Sequence, residues 1–527
     1  MLAESFAQIR FAISLIFGVP FDAGSLERLA EALRQTRHEF GAIEPEAAEL
    51  LAGPSLDEVT RRDVQLRRFR AQAVRGTRET AYYGRLFAQL GLDPSRLRYE
   101  EIARIPPTPK EAVREQPDDF VRRAAQPALR TVTTGTTGLP TAICFSREEM
   151  RSYVALGAIS LQAGGLVDSA DVVQISTSAR ATLGNTCFAG ACELAGALVH
   201  PAGLVSAEHT LGLLTQRRRL AGKRGQVSVL STYPSHLGEI VELGLRQGLR
   251  PADFGLRRIF VGGELVTEGV TARARRLFGD VQIFEGYGMT ETWPLAGLHC
   301  PDGHLHFEPS QALVEVLDLE AGAPAGPGQA GTIVATPFPP YRQTTILLRY
   351  DTRDVVRALP EPPACALRHR PATGVLQGKL SLSARHDEGW TFPRQVLEAL
   401  EALDEVPLPA RCGFWAVPGG VVVEVVTRHG DQPAARRAIE RALGERGVPV
   451  CVLRLVSDRS SLTRPLPLRG DLREATFGPS VDGVSPERAA PPREAATMDL
   501  TPRPPLRRGE GENVMRSGIS GWMSRCC

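Results

Sequence analysis

The sequence is poor in lysine, in long apolar runs and in excess charge of either sign. Only three of its 527 residues are lysine, whereas lysine and arginine together number 62. Basic and acidic residues nearly balance, at 62 and 60, which argues against a protein that binds nucleic acid by neutralising its phosphates. A role that requires an ammonium group therefore has three candidates, Lys110, Lys223 and Lys379.

No apolar run approaches the roughly 20 residues that a membrane span needs. The best candidate, residues 11–21 (FAISLIFGVPF), contains Pro20 and lacks the basic flank and cleavage site of a signal peptide. Nine cysteines in a chain of this length do not indicate a disulfide framework, and a reducing compartment is the default. We therefore expect a cytoplasmic protein with no membrane partner and no nucleic-acid partner.

The apolar pattern divides the chain into four segments. Residues 1–60 show the three-and-four spacing of helices. Residues 61–377 alternate short Val- and Ile-rich runs with helical stretches, which indicates an α/β domain with mostly parallel strands, followed by antiparallel or barrel-like strands. Residues 378–477 predict a small α+β lobe. Residues 478–527 are rich in Pro, Arg, Gly and Glu without apolar periodicity, which predicts disorder.

A loop rich in threonine and glycine occupies residues 131–141 (TVTTGTTGLPT). Its glycines allow tight turns, and its N–H and hydroxyl groups are suited to surrounding phosphate oxygens. It is not the P-loop of nucleotide triphosphatases, because no Gly-Lys-Ser/Thr follows. The alternative is an ordinary Thr/Gly turn.

Three further motifs occupy residues 259–264 (IFVGGE), a predicted strand that ends in a glycine pair, and residues 284–291 (FEGYGMTE) and 348–354 (LRYDTRD). In the second, Tyr287 offers a flat aromatic surface and Glu291 a hard oxygen for Mg²⁺. In the last, Asp354 is placed to accept hydrogen bonds from two ribose hydroxyls. The alternatives are a turn with Tyr287 in the core, a plain strand end and a solvated charge cluster.

In their order and separations, the four motifs resemble those of the acyl-adenylate-forming superfamily, and within it the phenylacetate–CoA ligase family. The resemblance covers about residues 60–475. It extends to residues 65–72 (QLRRFRAQ), 82–87 (YYGRLF), 105–110 (IPPTPK), 231–235 (STYPS) and 390–394 (WTFPR).

This resemblance implies a large body of stacked α/β subdomains with a barrel-like part, and a small mobile C-terminal lobe. It also implies two half-reactions. A carboxylate attacks the α-phosphate of Mg·ATP to give acyl-AMP and pyrophosphate, and the thiolate of CoA then displaces AMP. The implied ligands are ATP, Mg²⁺, CoA and a small carboxylic acid, and a homodimer is one expected assembly.

Carried onto this chain residue by residue, the resemblance assigns roles to individual side chains. Tyr287 would pack on adenine, Thr290 would contact the α-phosphate, Glu291 would bind Mg²⁺ and Asp354 would hold the ribose. The implied phosphate ligands are Thr133, Thr134, Gly135, Thr136 and Thr137, and the other implied nucleotide contacts are Gly262, Gly263, Glu264, Gly288 and Lys379.

The chain departs from the family pattern most strongly near residue 470. The family has a Gly-Lys there, whose lysine bridges the substrate carboxylate and the α-phosphate, but this chain has Gly470 followed by Asp471. Removing one preorganised group at a developing charge typically costs ~10²–10³ in rate. Arg469 and Arg473 are the predicted replacements, since a guanidinium stays charged and binds phosphate well.

Two pairs of cysteine and histidine predict a zinc site. Cys300 and His306 follow the Tyr287 motif, and Cys365 and His369 precede the C-terminal lobe. Four such ligands suit a closed tetrahedral site, and some members of the resembled family bind structural zinc at comparable places. Neighbouring histidines, His299 and His304, compete for the fourth position, and the alternative is ordinary cysteines and solvent-facing histidines.

The resemblance and the motifs together predict an ATP-dependent carboxylate–CoA ligase that acts on an aryl or arylacetic acid. One alternative is an adenylyl transferase of the deazaflavin-adenylylating type. The other is a catalytically weak nucleotide-binding homologue, which the absence of the C-terminal lysine favours.

Overall fold

The computed structural model describes residues 22–40, 57–133, 141–179 and 182–471. Most of the predicted phosphate loop, Arg473 and the segment predicted to be disordered lie outside these residues. The predicted phosphate ligands that lie outside are Thr134, Gly135, Thr136 and Thr137.

The helices alternate with strands through most of the described chain. The α-helices are α1 (Ala23–Phe40), α2 (Glu58–Glu79), α3 (Ala81–Leu90), α4 (Lys110–Glu115), α5 (Arg147–Ala163), α6 (Thr182–Leu194), α7 (Ala207–Thr215), α8 (Pro234–Arg246), α9 (Glu268–Phe278), α10 (Pro393–Glu401) and α11 (Pro433–Glu445). The first ten strands are β1 (Pro127–Val132), β2 (Ala142–Ser146), β3 (Val172–Ser176), β4 (Leu198–Pro201), β5 (Val229–Thr232), β6 (Arg258–Gly262), β7 (Gln282–Gly288), β8 (Ala296–His299), β9 (His304–Phe307) and β10 (Ala312–Asp318). The others are β11 (Ala330–Pro337), β12 (Tyr350–Arg357), β13 (Ala372–Gly374), β14 (Gly378–Lys379), β15 (Ala384–His386), β16 (Gly389–Thr391), β17 (Cys412–Val417), β18 (Gly420–Val426) and β19 (Val450–Val456).

The largest sheet has eight strands and confirms the predicted α/β class. Strands β4, β3, β5, β6 and β7 run parallel in that spatial order, and β8, β9 and β13 continue the sheet antiparallel. All five residues of β3 are buried, as expected for a parallel strand that helices cover on both faces. One face packs on α5 and α6, and the other packs on α8 and α9. The carboxyl ends of β5, β6 and β7 therefore lie side by side at one edge.

A second sheet brings residues from distant parts of the chain to that edge. Its order is β10-β11-β12-β14, and all three pairings are antiparallel. The register places Asp354 of β12 directly opposite Lys379 of β14. An isolated parallel bridge between Thr108 and Tyr350 holds an N-terminal segment against β12.

The C-terminal residues form a third sheet with its own apolar core. Strands β17 and β18 are antiparallel, β18 and β19 are parallel, and α10 and α11 contribute to the same core. Helices α9 and α10 approach at backbone distance, since a methyl group on Gly269 would lie 2.1 Å from the carbonyl oxygen of Glu401. The described residues form one compact unit, and the predicted domain boundaries stay predictions. No helix in the described ranges is long and apolar enough to cross a membrane.

Candidate active site

The segments that follow β6 and β7 meet at the edge of the large sheet and carry two predicted nucleotide motifs. Gly262 ends β6 opposite Gly286 of β7, and a methyl group on Gly262 would lie 2.9 Å from the carbonyl oxygen of Gly286. Gly263 has a φ of +81°, a conformation that favours glycine. Gly262 is required because two backbones approach closely there, and Gly263 is required because the chain turns there with a positive φ.

The carboxylate of Asp354 is held by two side chains from different sheets. It is 5% exposed. The phenolic oxygen of Tyr287 donates a hydrogen bond to Oδ2 at 3.1 Å, and the Nζ of Lys379 lies 2.8 Å from Oδ1. Asp354, predicted to hold ribose, is thus fixed in position beside the Tyr287 motif.

Tyr287 joins the apolar core and the polar site. Its ring belongs to a buried cluster with Leu305 and Phe307, and it meets the Phe307 ring edge-on at a centroid distance of 6.2 Å. Burial, together with the charge of Asp354, raises the pKa of its hydroxyl, which therefore stays a donor. The flanking glycines, Gly286 and Gly288, are exposed and leave open backbone on either side. Stacking of Tyr287 on adenine stays a prediction.

The carboxylate of Glu291 is almost fully buried, at 1% exposure, and already has two partners. The Nζ of Lys110 lies 2.9 Å from its Oε1 atom, and the hydroxyl of Tyr350 donates to the same oxygen at 3.2 Å. Burial and the charge of Glu291 raise the pKa of Tyr350, so this hydroxyl also stays protonated. Glu291, the predicted magnesium ligand, is therefore held in place by two side chains, and Lys110 balances its negative charge.

Lys379 completes a cluster of opposite charges. Burial lowers the pKa of its ammonium group, but the charges of Asp354 and Glu291 outweigh this effect and the pKa is raised. The ammonium group is therefore charged at neutral pH. Two ammonium groups and two carboxylates from four distant segments meet at this point.

Arg469 reaches the site from the C-terminal lobe. It begins a short 3₁₀ turn, Arg469–Asp471. Its backbone N–H donates to Glu264, its Nε donates to the carbonyl oxygen of Gly263 at 2.8 Å, and its guanidinium carbon lies 5.6 Å from the centroid of the Tyr233 ring. The other Glu264 oxygen accepts the N–H of Ser235 at 2.9 Å. Glu264 thus ties the lobe to the first turn of α8.

The two ends of the predicted phosphate loop are paired with each other. The N–H of Thr133 donates to the carbonyl oxygen of Thr141 at 3.0 Å, and the N–H of Thr141 donates to the Thr133 hydroxyl at 3.0 Å. Strands β1 and β2 therefore close the base of this loop. Thr290 is half-buried immediately before Glu291, and its contact with the α-phosphate stays a prediction.

Comparison with known proteins identifies the family. The sequence model of the family described as AMP-binding enzyme matches residues 59–336. This chain belongs to the AMP-binding enzyme family. Its curated relatives include the phenylacetate–coenzyme A ligases of Thermus thermophilus and Pseudomonas putida, each 26% identical to it. The alignments cover 62% of this chain and 72% of the Thermus protein, and 57% of this chain and 67% of the Pseudomonas protein. The predicted resemblance to the phenylacetate–CoA ligase family is confirmed.

Solved structures show the same fold. A 2-hydroxyisobutyryl-CoA ligase in the postadenylation state has a TM-score of 0.64 and 19% identity, over 78% of this chain and 88% of that one. An open conformation of the same ligase has a TM-score of 0.56 over 76% and 89%. At this identity the likeness concerns the fold alone, and it confirms the predicted adenylate-forming architecture.

In this AMP-binding enzyme, Asp471 is paired on the lobe side of the turn that carries Arg469. Its carboxylate contacts Arg411 at 2.7 Å and Arg459 at 2.6 Å. Arg411 also pairs with Glu239 of α8 at 3.0 Å. Asp471, the acidic residue at the family's lysine position, is therefore paired with two arginines of the lobe. Arg473, the other predicted cation, lies outside the described residues.

A separate group of metal-binding side chains lies around the β8–β9 hairpin. Its four ligand atoms, from Cys300, His304, His306 and Cys365, all lie within 4.8 Å of one another. His369, the predicted fourth ligand, is exposed and is not part of this group, whereas its competitor His304 is. Which histidine completes a metal site stays a prediction. His304 and His306 are two residues apart in β9 and so point to the same face. Two thiols with two imidazoles are a preferred donor set for structural zinc.

Sequence reasoning gave Lys110 and Tyr350 no role at the site and named His304 only as a competitor for the fourth metal position. Lys110 was one of three candidate lysines and ended a family-like stretch, and its rarity as a residue type was a usable signal. The strand alternation that pairs His304 with His306 was a usable signal too. Tyr350 carried none, because its contact with Glu291 depends on how the second sheet meets the first.

Proposed function

We propose that this chain activates an aryl or arylacetic acid as its acyl-AMP and transfers the acyl group to CoA. The family match and the curated relatives confirm the predicted class, an AMP-forming acid–CoA ligase that uses ATP. The observation that carries the proposal is the charge cluster at the sheet edge, where Glu291 and Asp354 are each paired with a lysine and Arg469 lies nearby.

In the first half-reaction, a carboxylate oxygen of the acid attacks the α-phosphorus of ATP and pyrophosphate leaves. Asp354 holds the ribose hydroxyls, and Arg469 offsets the negative charge between the acid and the α-phosphate. Glu291 would hold Mg²⁺, since its buried, hard carboxylate oxygen suits that ion. When bound, Mg²⁺ stabilises negative charge on the phosphates. In the second half-reaction the CoA thiolate attacks the acyl carbon and AMP leaves.

A row of aromatic side chains supports the choice of an aryl acid. Phe260 of β6 and Phe284 of β7 are stacked, with centroids 5.2 Å apart and an interplanar angle of 21°. Phe188 of α6 lies 5.3 Å from Phe260. All three rings are half-buried and lie on the face of the sheet that α6 covers. Phe260 lies two residues before Gly262 on the same strand face, so the row leads towards the nucleotide motifs and offers a flat apolar wall.

Pyrophosphate release tests the reaction. A panel of carboxylic acids is incubated with the enzyme and Mg·ATP, and CoA is then added. Release that requires an aryl acid, followed by CoA-dependent release of AMP, supports the proposal. Release that requires a hydroxyl acceptor indicates an adenylyl transferase, and nucleotide binding without release indicates a weak homologue. Phe260→Leu should raise KM for aryl acids more than for a short aliphatic acid.

We also propose that Cys300, His304, His306 and Cys365 hold one structural zinc ion. The short contacts support this: the Cys365 sulfur lies 3.2 Å from His306 Nε2, and the Cys300 sulfur lies 3.5 Å from His304 Nδ1. The two histidines lie on β9 of the large sheet, Cys300 follows β8, and β13 pairs with β9 beside them. Zinc there would fasten the hairpin to the segment around residue 365. A homodimer stays a prediction.

A further inference from the structure

Lys110 lies at the nucleotide motifs although no motif assigned it a role. Its ammonium group is 17% exposed and 2.9 Å from Glu291 Oε1. Two residues earlier, Thr108 bridges to Tyr350, and its hydroxyl is hydrogen-bonded to the phenolic oxygen of Tyr83 at 2.8 Å. The segment that presents Lys110 is therefore held from two sides, so the position of its side chain is built into the fold.

The composition gives a second, independent reason to single out this residue. Only three of the 62 basic residues are lysine, and lysine differs from arginine where a contact needs a compact ammonium group. The other two lysines make such contacts. Lys379 lies 2.8 Å from Asp354, and Lys223 donates to the carbonyl oxygens of Ser169 and Gly196 at 2.6 Å each. These are close contacts of a compact ammonium group, whereas a guanidinium is larger and planar.

We propose that Lys110 is a catalytic residue of adenylation, whose ammonium leaves Glu291 when metal and ATP bind and then neutralises the triphosphate. This inference rests on the proposed function. In the free enzyme the buried carboxylate of Glu291 needs a countercharge, because an unpaired buried charge is costly. Once Glu291 binds Mg²⁺, it no longer needs Lys110. Because the ammonium lies 2.9 Å from Glu291, a phosphate held beside Glu291 would be within its reach.

The chemical step needs this charge but no proton from Lys110. The carboxylate oxygen of the acid forms a bond to the α-phosphorus. The bond from that phosphorus to the bridging oxygen breaks, and its electron pair leaves with pyrophosphate. The ammonium group of Lys110 offsets charge on the phosphate oxygens. The C-terminal lobe has no lysine for this role, because none follows Lys379.

Two variants and two measurements test the proposal. Lys110→Met removes the charge, and Lys110→Gln removes the charge but keeps a hydrogen-bond donor for Glu291, which protects the fold. Acid-dependent exchange of pyrophosphate into ATP should fall by ~10²-fold in both. Binding of Mn²⁺, used as a spectroscopic probe for Mg²⁺ on the nucleotide-free protein, should tighten several-fold, because the ammonium no longer competes for Glu291. Lys223→Met, the matched control outside the site, should change neither measurement.

Two results would overturn the proposal. The first is normal pyrophosphate exchange in both Lys110 variants. The second is weaker Mn²⁺ binding together with recovery of exchange in Lys110→Gln, which would make Lys110 a structural partner of Glu291 only. If the unaltered enzyme exchanges no pyrophosphate with any acid, the proposed function fails, whereas the Mn²⁺ comparison still tests the competition between lysine and metal.

Discussion

Replacing Arg469 with alanine should slow acyl-AMP formation without unfolding the protein. The guanidinium group donates to Gly263 and lies over Tyr233. The first contact is worth about 0.5–1.5 kcal/mol and the second about 0.5–1 kcal/mol. Together these two contacts contribute about 1–2.5 kcal/mol, which is less than the typical 5–15 kcal/mol stability of a folded protein. The N–H of residue 469 still binds Glu264 in the variant, so the turn stays in place.

The kinetic effect should be larger than the effect on stability. If Arg469 meets the charge that builds between the acid and the α-phosphate, its loss should cost ~10²-fold in rate, or about 2.7 kcal/mol of barrier. Acid-dependent pyrophosphate exchange measures this first half-reaction. Transfer to CoA from supplied acyl-AMP measures the second, and it should survive.

Arg459→Ala is the matched control. Arg459 lies on the lobe side of the same turn and pairs with Asp471 at 2.6 Å, and its side chain is 47% exposed. Exposed ion pairs contribute little, so the control should keep its adenylation rate. Unchanged pyrophosphate exchange in Arg469→Ala would refute the role of Arg469. Another cation would then have to offset the charge between the acid and the α-phosphate.

Four further outcomes are expected. Glu291→Gln should abolish adenylation and Mg²⁺ dependence while leaving the melting temperature within a few degrees, as pyrophosphate release and thermal melting would show. Elemental analysis of untagged protein should find about one zinc per chain, and the Cys365→Ser variant should lose it. Burial raises the pKa of Glu401 to about 7, so the folded state binds a proton that the unfolded state releases. The contribution of Glu401 to the free energy of unfolding should therefore be fully present below about pH 4.5. It should fall, by up to about 1.4 kcal/mol per pH unit, as the pH rises to 7. The midpoint of denaturant unfolding, measured across this pH range, should fall less steeply with pH in Glu401→Gln than in the unaltered protein. Asp471→Lys should not raise adenylation, because that position faces Arg411 and Arg459, and pyrophosphate exchange would reveal any gain.

Most of the fold was accessible from local pattern. The Val- and Ile-rich runs became β3, β5 and β6, because buried parallel strands need continuous apolar residues. Strand β18 and helix α11 fall in residues 378–477, for which the pattern predicted a small α+β lobe. The order of the nucleotide motifs was also sufficient for the family, since glycine pairs and acidic residues after strands are readable without a structure.

The partners of the site residues were decided by tertiary structure. Lys110 meets Glu291, Lys379 meets Asp354 and Arg469 meets Gly263 across long stretches of chain, and sequence spacing says nothing about such distances. His369 is exposed and lies outside the group of four side chains at the hairpin, and sequence spacing alone could not show which histidine reaches that group. The sequence by itself determined which chemical groups this enzyme contains. Only the packing of three sheets around one edge decided which of those groups face one another, because long-range contacts depend on how whole elements dock.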